Sequence, residues 1–310
     1  MHILVTGATG GIGQGICEVL ASQAMPELQL TVASTQHGER LEALLQGLRD
    51  LGVQAHGVVG DVTRPEDAQR LVHEALDHGG DLDALVCVAG ASGPSQLAEL
   101  SVEQWDLTFN LNTRSVFLMA QAAYPSLKRT RGSITAIASM SGLHPHPGYG
   151  AYSPAKAALI MLCRQLAQEW GPEGIRTNTV CPGMVRTPLT EAVYQDADTK
   201  ARREALVPMG RIGRPDDMGQ AVHFLISAGA SYVNGQNLVV DGGVYRHDFV
   251  AQTVVQALMD VQLQTGVPVI SAVQAPHHFQ EHVEHRRFLQ QHFALKGTEA
   301  AQAVLFTVAG

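Results

Sequence analysis

The sequence lacks the cysteine pattern of a disulfide-rich or zinc-binding protein. Its 310 residues contain four cysteines, Cys17, Cys87, Cys163 and Cys181, and no two of them form a Cys-x-x-Cys pair. Isolated cysteines in apolar surroundings are typical of buried free thiols in a reducing compartment. We therefore expect four free thiols and no cysteine-based metal site.

Long hydrophobic runs and runs of basic residues are also missing. No stretch approaches the roughly 20 apolar residues of a membrane span, and Met1 leads into a glycine-rich turn without the regions of a signal peptide. The formal net charge is −8, and no basic cluster suggests a nucleic-acid partner. We expect a cytoplasmic protein that binds neither a membrane nor a nucleic acid.

Short apolar segments alternate with helical patterns through most of the chain. Segments that are brief, rich in β-branched residues and bounded by Gly, Pro or Asp are predicted strands: Ile3–Val5, Leu30–Ala33, Gly57–Val59, Ala84–Val88, Ser133–Ala138, Arg176–Val180 and Asn237–Val240. Segments with helical periodicity lie between them: Gly13–Ser22, Arg40–Leu51, Pro65–Leu76, Val116–Leu127 and Pro154–Glu169. The alternation predicts an α/β fold, a doubly wound, Rossmann-like parallel sheet of about seven strands that binds ligands at its carboxyl edge.

The composition changes after Val244, where such a sheet is complete. We predict a domain over residues 1–244 and a separate C-terminal segment over residues 245–310. Within that segment, residues 249–263 have the periodicity of an amphipathic helix, Val267–Val273 is a strand candidate and Thr298–Val308 is a second helix candidate. The segment is therefore expected to form a small α/β or mostly helical appendage.

A glycine-rich loop joins the first predicted strand to the first helix. It reads Thr6-Gly7-Ala8-Thr9-Gly10-Gly11-Ile12-Gly13. Glycines let the backbone turn tightly and approach a pyrophosphate, and the helix that follows offers unpaired N–H groups to it. The position of this loop favours a nucleotide site over a merely structural turn.

Tyr152 and Lys156 are four residues apart in a predicted helix, so their side chains share one face. A nearby ammonium would lower the pKa of the phenol toward working pH, where it can donate and accept a proton. Ser139 follows a predicted strand and could hold a substrate oxygen, and the Asn112 amide could hold a water that resupplies protons. Taken alone, the pair could instead be an ordinary surface Tyr–Lys pair.

Together these motifs resemble the short-chain dehydrogenase/reductase family over about residues 1–243. The resemblance rests on the glycine-rich loop, Asp61-Val62, Ala89-Gly90, Asn112, Ser139, the Tyr152–Lys156 pair, Cys181-Pro182-Gly183 with Thr187, and Asn234-Gly235-Gln236 followed by Asp241-Gly242-Gly243. One departure is Cys87-Val88 before Ala89-Gly90, where the family often has two asparagines.

The resemblance implies a role for each matching residue. Tyr152 would be the general acid/base, Lys156 would lower its pKa and bind the nicotinamide ribose, Ser139 would orient the substrate carbonyl, and Asn112 would complete a proton relay. The expected cofactor contacts are Thr6, Gly7, Gly11, Ile12, Gly13, Asp61, Val62, Ala89, Gly90, Tyr152, Lys156, Pro182, Gly183 and Thr187. A small-molecule carbonyl or alcohol substrate and a homotetramer or homodimer are also implied.

The end of the second predicted strand bears on the choice of nicotinamide cofactor. No carboxylate stands there to bind a ribose 2′-hydroxyl, and Ser34, Thr35 and His37 could donate hydrogen bonds to a 2′-phosphate. Arg40 lies one helical turn further on. The pattern slightly favours NADP over NAD, although the same residues could be a solvated loop without a selective role.

The C-terminal segment, over roughly residues 239–310, resembles the C-terminal half of lumazine synthase. The matching motifs are Tyr245-Arg246-His247-Asp248-Phe249-Val250, Gly266-Val267-Pro268-Val269, Pro276-His277-His278-Phe279 and Lys296-Gly297-Thr298-Glu299-Ala300-Ala301. The strands that supply much of that family's pyrimidine pocket have no counterpart, so we expect no complete lumazine synthase site. Five histidines there suggest a metal site: His277, His278, His282, His285 and His292. Of these, His278, His282 and His285 are spaced so that they could share a helical face, but a polar helix face explains them without a metal.

Two functions from different classes remain. The first is an NAD(P)-dependent oxidoreductase that moves a hydride between the nicotinamide and a carbonyl or secondary alcohol, in the manner of a 3-oxoacyl reductase, with a lid over Leu189–Val207 that selects the substrate. The second is a non-catalytic nucleotide-binding scaffold or sensor whose tail mediates assembly. The presence of Asn112, Ser139, Tyr152 and Lys156 together favours the enzyme.

Overall fold

A sheet of seven parallel strands lies at the centre of the fold. The computed structural model describes residues 1–244 except positions 24, 26 and 189, and the side chain at 192. The strands are β1 (His2–Thr6), β2 (Gln29–Ser34), β3 (Gln54–Val59), β4 (Ala84–Cys87), β5 (Ser133–Ile137), β6 (Arg176–Pro182) and β7 (Asn237–Val240). Their order in the sheet is β3-β2-β1-β4-β5-β6-β7, so the chain reverses its direction of winding between β1 and β4. The carboxyl ends of β1 and β4 therefore flank the crevice where such sheets bind ligands.

Helices cover both faces of this sheet. They are α1 (Gly11–Ser22), α2 (Glu39–Asp50), α3 (Pro65–Gly79), α4 (Val102–Phe109), α5 (Ser115–Thr130), α6 (Tyr152–Trp170), α7 (Glu191–Gln195), α8 (Ala197–Leu206) and α9 (Pro215–Ile226). One turn of π-helix, Asn110–Arg114, joins α4 to α5. None of the helices in the described part of the chain is long and apolar enough to cross a membrane.

Two apolar cores lie on opposite sides of the sheet. One packs α3, α5 and α6 against the strands, with Leu71, Leu127 and Leu159 fully buried. The other packs α1, α2 and α9 against the opposite face, around Ile16 and Val222. Strands buried on both faces are typical of parallel sheets, which explains why they are nearly continuous apolar runs in the sequence.

The predicted strands and helices are present, with bounds that differ by one to a few residues. The sequence patterns did not predict α4, the π-helical turn or α9, because these segments mix polar and apolar residues. The segment expected to form a lid contains α7 and α8. The predicted elements of the C-terminal segment and its histidines lie outside the described residues.

The four cysteines are free and buried, as predicted. Burial raises the pKa of the Cys17 thiol to about 12 and that of Cys87 to about 12, so both stay protonated at neutral pH. Cys87 is the last residue of β4. Its side chain packs in the core beneath α6 together with Cys163 and Cys181.

Candidate active site

The glycine-rich loop lies between β1 and α1 and approaches the end of β4. Gly7 adopts a φ of +64°, and a Cβ on it would lie 2.6 Å from the backbone nitrogen of Ala89. A side chain at this position is therefore excluded both by conformation and by space. Thr6 accepts a hydrogen bond from the Val88 N–H at 3.3 Å, which ties the loop to the next strand.

The first turn of α1 is left without a cap of its own. Gly10 is the N-cap and has no side chain to accept from the turn, and the turn contains no acidic residue. The N–H groups of Gly11, Ile12 and Gly13 thus have no partner within the helix, and the positive end of the helix dipole is unopposed. This is the arrangement that binds a phosphate group.

The segment after β6 borders the same loop. A Cβ on Gly11 would lie 2.7 Å from Cδ of Pro188 and 2.8 Å from Cβ of Thr187. Pro182 ends β6, and Gly183 lies so close to Asp241 that a Cβ would come within 2.6 Å of the Asp241 Cβ. Only glycine therefore leaves room for the neighbouring segment at Gly11 and at Gly183.

Asp61 and Val62 follow β3 at the same edge of the sheet. The Asp61 carboxylate accepts hydrogen bonds from the Thr63 N–H at 2.9 Å and the Thr63 hydroxyl at 2.7 Å, which fixes the turn. Val62 is buried. The residues predicted to bind the cofactor therefore follow β1, β3, β4 and β6 at one edge, as expected for the carboxyl ends of parallel strands.

Tyr152 and Lys156 occupy neighbouring turns at the start of α6. The Lys156 ammonium lies 5.7 Å from the centre of the Tyr152 ring and donates a hydrogen bond to the backbone oxygen of Ile137 at 2.8 Å. Lys156 is 3% exposed. Ser139 directly follows β5, and its side chain lies within hydrogen-bonding reach of the Tyr152 phenol. We call this side of the helix, with Tyr152, Lys156 and Ser139, the reaction face.

The pKa of Tyr152 is shifted in the direction opposite to the expected lowering. Burial raises the pKa of Tyr152, and the hydrogen bond with Ser139 opposes this rise only in part. Burial also lowers the pKa of Lys156 to about 8, and none of the described residues places a carboxylate beside the ammonium to oppose this shift. Spacing along a helix predicted the proximity of the two groups, but it could not reveal how strongly burial disfavours their charged forms.

Asn112 lies in the π-helical turn between α4 and α5, behind the reaction face. Its amide nitrogen donates to the backbone oxygens of Ala91 at 2.9 Å and Thr108 at 3.0 Å. Its oxygen Oδ1 is buried and has no hydrogen-bond partner among the described residues. A Cβ on Gly90 would lie 2.8 Å from this oxygen and 3.2 Å from Nζ of Lys156, so both groups border the same small space.

These observations fit a dinucleotide cofactor. The uncapped α1 turn and the glycines without room for a Cβ form a cradle for a pyrophosphate, and the unpaired Asn112 oxygen points to a site completed by a further molecule. Among the described residues, no group of three or more His, Cys, Asp and Glu side chains is arranged to hold a metal ion.

The end of β2 offers hydroxyl groups and no carboxylate. Ser34, its last residue, lies with its hydroxyl 3.4 Å from that of Thr9 in the glycine-rich loop. His37, in the connection after β2, pairs with Glu42 of α2 at 3.0 Å. This corner can therefore donate hydrogen bonds to a ribose or to its phosphate.

A cavity of about 590 Å³ lies beside the reaction face, and no sequence motif predicted it. It is bounded by residues 95–97, by the connection 141–150 and by Ser153, Pro154 and Ala157 of α6. We call it the loop cavity. His144 and His146 line the cavity. They belong to a His-Pro-His-Pro run between Ser139 and Tyr152, which is the feature of the sequence that could have indicated a site here.

A phosphate cradle at the same edge of the sheet as a half-buried tyrosine and a buried lysine defines a nicotinamide-dependent oxidoreductase acting on CH–OH and C=O groups. Comparison with known proteins agrees. The family model described as enoyl-(acyl carrier protein) reductase matches residues 7–245. The chain belongs to the short-chain dehydrogenase/reductase family, and these matches favour the enzyme over the scaffold.

Relatives in this family cover most of the chain. A 3-oxoacyl-[acyl-carrier-protein] reductase of Thermotoga maritima is 32% identical over 78% of this chain and 96% of the relative. An acetoacetyl-CoA reductase of an Acinetobacter species is 32% identical over 79% of this chain and 97% of the relative. The crystal structure of a putative gluconate dehydrogenase from Agrobacterium tumefaciens has a TM-score of 0.73 at 29% identity, covering 78% of this chain and 95% of that one.

The C-terminal region matches a second family. The model for 6,7-dimethyl-8-ribityllumazine synthase matches residues 217–309 and so overlaps the first match by residues 217–245. Within this overlap, α9 and β7 are part of the reductase fold, because β7 pairs with β6 in parallel. The predicted boundary at residues 244 and 245 remains a prediction.

Proposed function

We propose that this enzyme uses Tyr152, Lys156, Ser139 and Asn112 to reduce a ketone to a secondary alcohol, and that it prefers NADPH. The observation that carries the proposal is the reaction face, where Ser139 interacts with the Tyr152 phenol and the buried Lys156 ammonium lies 5.7 Å from the centre of the Tyr152 ring. Two hydroxyl groups at one point can hold and protonate a single carbonyl oxygen.

When bound, the nicotinamide cofactor supplies the hydride that is added to the carbonyl carbon. Ser139 donates a hydrogen bond to the carbonyl oxygen and fixes its position. Tyr152 gives its phenolic proton to that oxygen as negative charge develops there. The Lys156 ammonium stabilises the resulting phenolate by its charge, which offsets the effect of burial on both groups.

Proton resupply falls to Asn112 and Lys156. The unpaired Oδ1 of Asn112 and the Nζ of Lys156 border the space beside Gly90, where a water can bond to both. Such a water would pass a proton through Lys156 toward Tyr152 after each turnover. The uncapped first turn of α1, Pro182, Gly183 and Thr187 would hold the cofactor against this face.

The preference for NADPH rests on the end of β2. Ser34 and Thr35 offer hydroxyl donors, and no carboxylate follows the strand until α2. Fluorescence titration with NADPH and, separately, NADH measures the preference directly. We expect tighter binding of NADPH, whereas equal or tighter binding of NADH would contradict this part of the proposal.

The catalytic assignment is tested by Tyr152→Phe. We expect turnover to fall by about 10²- to 10⁴-fold, because the general acid is lost, while the Kd for NADPH stays within twofold. The first substrates to assay are 3-oxoacyl thioesters, which are named for two of the relatives. If the variant keeps its turnover, Tyr152 is not the acid; if no ketone or alcohol reacts with either cofactor, the oxidoreductase assignment to this chain fails.

We also propose a homodimer or homotetramer located in the cytoplasm. Phe117 on α5 and Met161 on α6 are 42% and 59% exposed, and a second copy could cover this paired-helix face about a two-fold axis. Four free thiols suit a reducing compartment. Light scattering of the wild type should give the mass of at least two chains, and the Phe117→Glu variant should have a lower mass. A wild-type mass of one chain would exclude this assembly.

A further inference from the structure

We propose that the loop cavity binds the distal end of the substrate and selects a ketone with a compact apolar body and a terminal carboxylate, through the imidazole of His146. This inference rests on the proposed function, because it concerns the part of the substrate remote from the carbonyl. It adds a specificity-determining residue outside the reaction face.

The position of the cavity suits the far end of a substrate. Successive residues of a helix are turned by about 100°, so Ser153 and Ala157 lie on the face next to that of Tyr152 and Lys156. The connection that forms the cavity wall begins just after Ser139 and ends at Tyr152, so it joins the two hydroxyl groups of the reaction face. A ligand held at the carbonyl can therefore extend into the cavity around the start of α6.

His146 is held in place by two contacts of its ring and one of its backbone. Its Nδ1 lies 3.0 Å from the Ser141 hydroxyl, and its ring stacks on Tyr149 with centroids 3.9 Å apart. Its backbone N–H donates to the Ser153 hydroxyl at 3.1 Å. With Nδ1 engaged by Ser141, Nε2 is the ring nitrogen available to a ligand. An imidazole fixed in this way loses little entropy on binding, which is the basis of preorganised recognition.

A second link connects the cavity to the reaction face. The Ser141 backbone N–H donates to the Ser139 hydroxyl oxygen at 3.0 Å, while the Ser141 hydroxyl contacts His146. Both ends of the substrate would therefore be positioned by the same short turn after β5. A ligand group bound at His146 is placed at a fixed distance from the carbonyl.

Two features of the cavity region suit an anion. The described residues that line the cavity include no Asp, Glu, Lys or Arg, so a carboxylate entering it meets neither a competing anion nor a preformed ion pair among them. The first turn of α6, whose Ser153 and Pro154 line the cavity, has no side-chain cap and no acidic residue, so the positive end of the helix dipole is not offset there. Nε2–H of His146 can then donate a charge-assisted hydrogen bond to the carboxylate.

The rest of the lining favours a compact apolar body. Leu97, Leu143, Pro145 and Pro147 contribute apolar surface, and the volume of about 590 Å³ is within the usual range for small-molecule sites. An aromatic ring fits this description better than a polyol, since a polyol would need a hydrogen-bond partner for every buried hydroxyl.

Two ketones that differ by one group test the inference. Acetophenone and 4-acetylbenzoate share the ring and the carbonyl, and only the second carries the carboxylate. We expect the full-length wild type to have a lower KM for 4-acetylbenzoate. In His146→Ala this KM should rise about tenfold or more, whereas the KM for acetophenone and the Kd for NADPH should change by less than twofold.

Matched variants separate recognition from structure. His146→Gln retains a side-chain donor and should recover part of the lost affinity, and Ser141→Ala, which frees the ring, should raise the KM for 4-acetylbenzoate by a smaller factor. His73→Ala, at an exposed position on α3, is the control and should change nothing. Equal KM ratios for the two ketones in wild type and His146→Ala would overturn the inference.

Direct binding distinguishes failure of this inference from failure of the proposed function. Benzoate binding to wild type and His146→Ala is followed by ligand-observed NMR in the absence of cofactor. Weaker binding to the variant supports the cavity assignment even if neither ketone is reduced, in which case only the proposed reaction has failed. Equal benzoate binding to both proteins, or none to either, contradicts the cavity assignment whatever the turnover.

Discussion

The two neighbouring faces of α6 carry polar groups in opposite settings. On the reaction face, Lys156 is 3% exposed and bonds to a backbone oxygen, and burial shifts its pKa and that of Tyr152 toward their neutral forms. On the side of α6 that borders the loop cavity, which we call the cavity face, His146 of the connection 141–150 is exposed and is held by Ser141 and Tyr149 of the same connection. Burial suits groups that must change protonation during a reaction, whereas an exposed and fixed group suits recognition.

The largest difference between the two faces of α6 is expected when the charge of Lys156 is removed. We expect Lys156→Met to lower kcat by at least about 10²-fold, because nothing then stabilises the Tyr152 phenolate. The same variant should be more stable than wild type at pH 7 by about 3 kcal/mol, since a buried ammonium with no carboxylate partner among the described residues disfavours the folded state. Kinetics and urea unfolding measure the two effects on the same preparation.

The difference in stability between Lys156→Met and the wild type should change with pH, in a direction set by the pKa shift of Lys156. The folded-state pKa of Lys156 is about 8, below its ordinary value of 10.5, so the unfolded chain binds more protons between these values. Stability of the wild type then rises with pH in this window, and the advantage of Lys156→Met should shrink by about 2 kcal/mol between pH 7 and 9.5. A constant difference over this range would mean that Lys156 does not titrate there.

A smaller effect is expected behind the reaction face. Asn112→Ala should lower kcat by roughly tenfold, because solvent can partly replace a positioned water in resupplying protons. The KM for either ketone should stay within twofold, since Asn112 does not contact the substrate in the proposed arrangement. A change confined to KM would place Asn112 in substrate binding instead.

The cofactor cradle should respond to a single methyl group. In Gly11→Ala the added Cβ meets Thr187 and Pro188 at 2.7–2.8 Å, so the segment after β6 must move. We expect the Kd for NADPH to rise about tenfold, equal to about 1.4 kcal/mol. Gly47→Ala on α2, where a Cβ would have no neighbour within 4 Å among the described atoms, is the control.

The smallest effect is expected far from both faces of α6, at the amino end of the sheet. Burial lowers the pKa of His2 below its ordinary value of 6.5, so the unfolded chain binds more protons than the folded one as the pH falls below 6.5. The free energy of unfolding should therefore decline as the pH falls below 6.5. The ratio of the kcat values for the two ketones should stay unchanged over the same range. His2→Gln, which cannot titrate, should show a shallower decline.

The reaction face was easier to predict from the sequence than the cavity face. Tyr152, Lys156, Ser139 and the glycines lie in motifs whose spacing follows from helix and strand periodicity. Periodicity says nothing about how the irregular connection 141–150 folds, so the role proposed for His146 depends on contacts with Ser141 and Tyr149 that only the structure shows.

Burial limited the prediction in a second way. The sequence placed Lys156 next to Tyr152, but the direction of the Tyr152 pKa depends on desolvation by residues from other elements. Likewise, the unpaired oxygen of Asn112 arises from a π-helical turn that no propensity indicates. Both features come from tertiary packing rather than from local sequence.

One kinetic comparison tests most directly whether the two faces of α6 have separate tasks. It measures kcat and KM for acetophenone and 4-acetylbenzoate with NADPH in wild type, Tyr152→Phe and His146→Ala. We predict that Tyr152→Phe lowers kcat for both ketones by the same large factor, whereas His146→Ala raises only the KM for 4-acetylbenzoate. If the two variants change the same parameter for both ketones, the division of tasks between the faces is wrong.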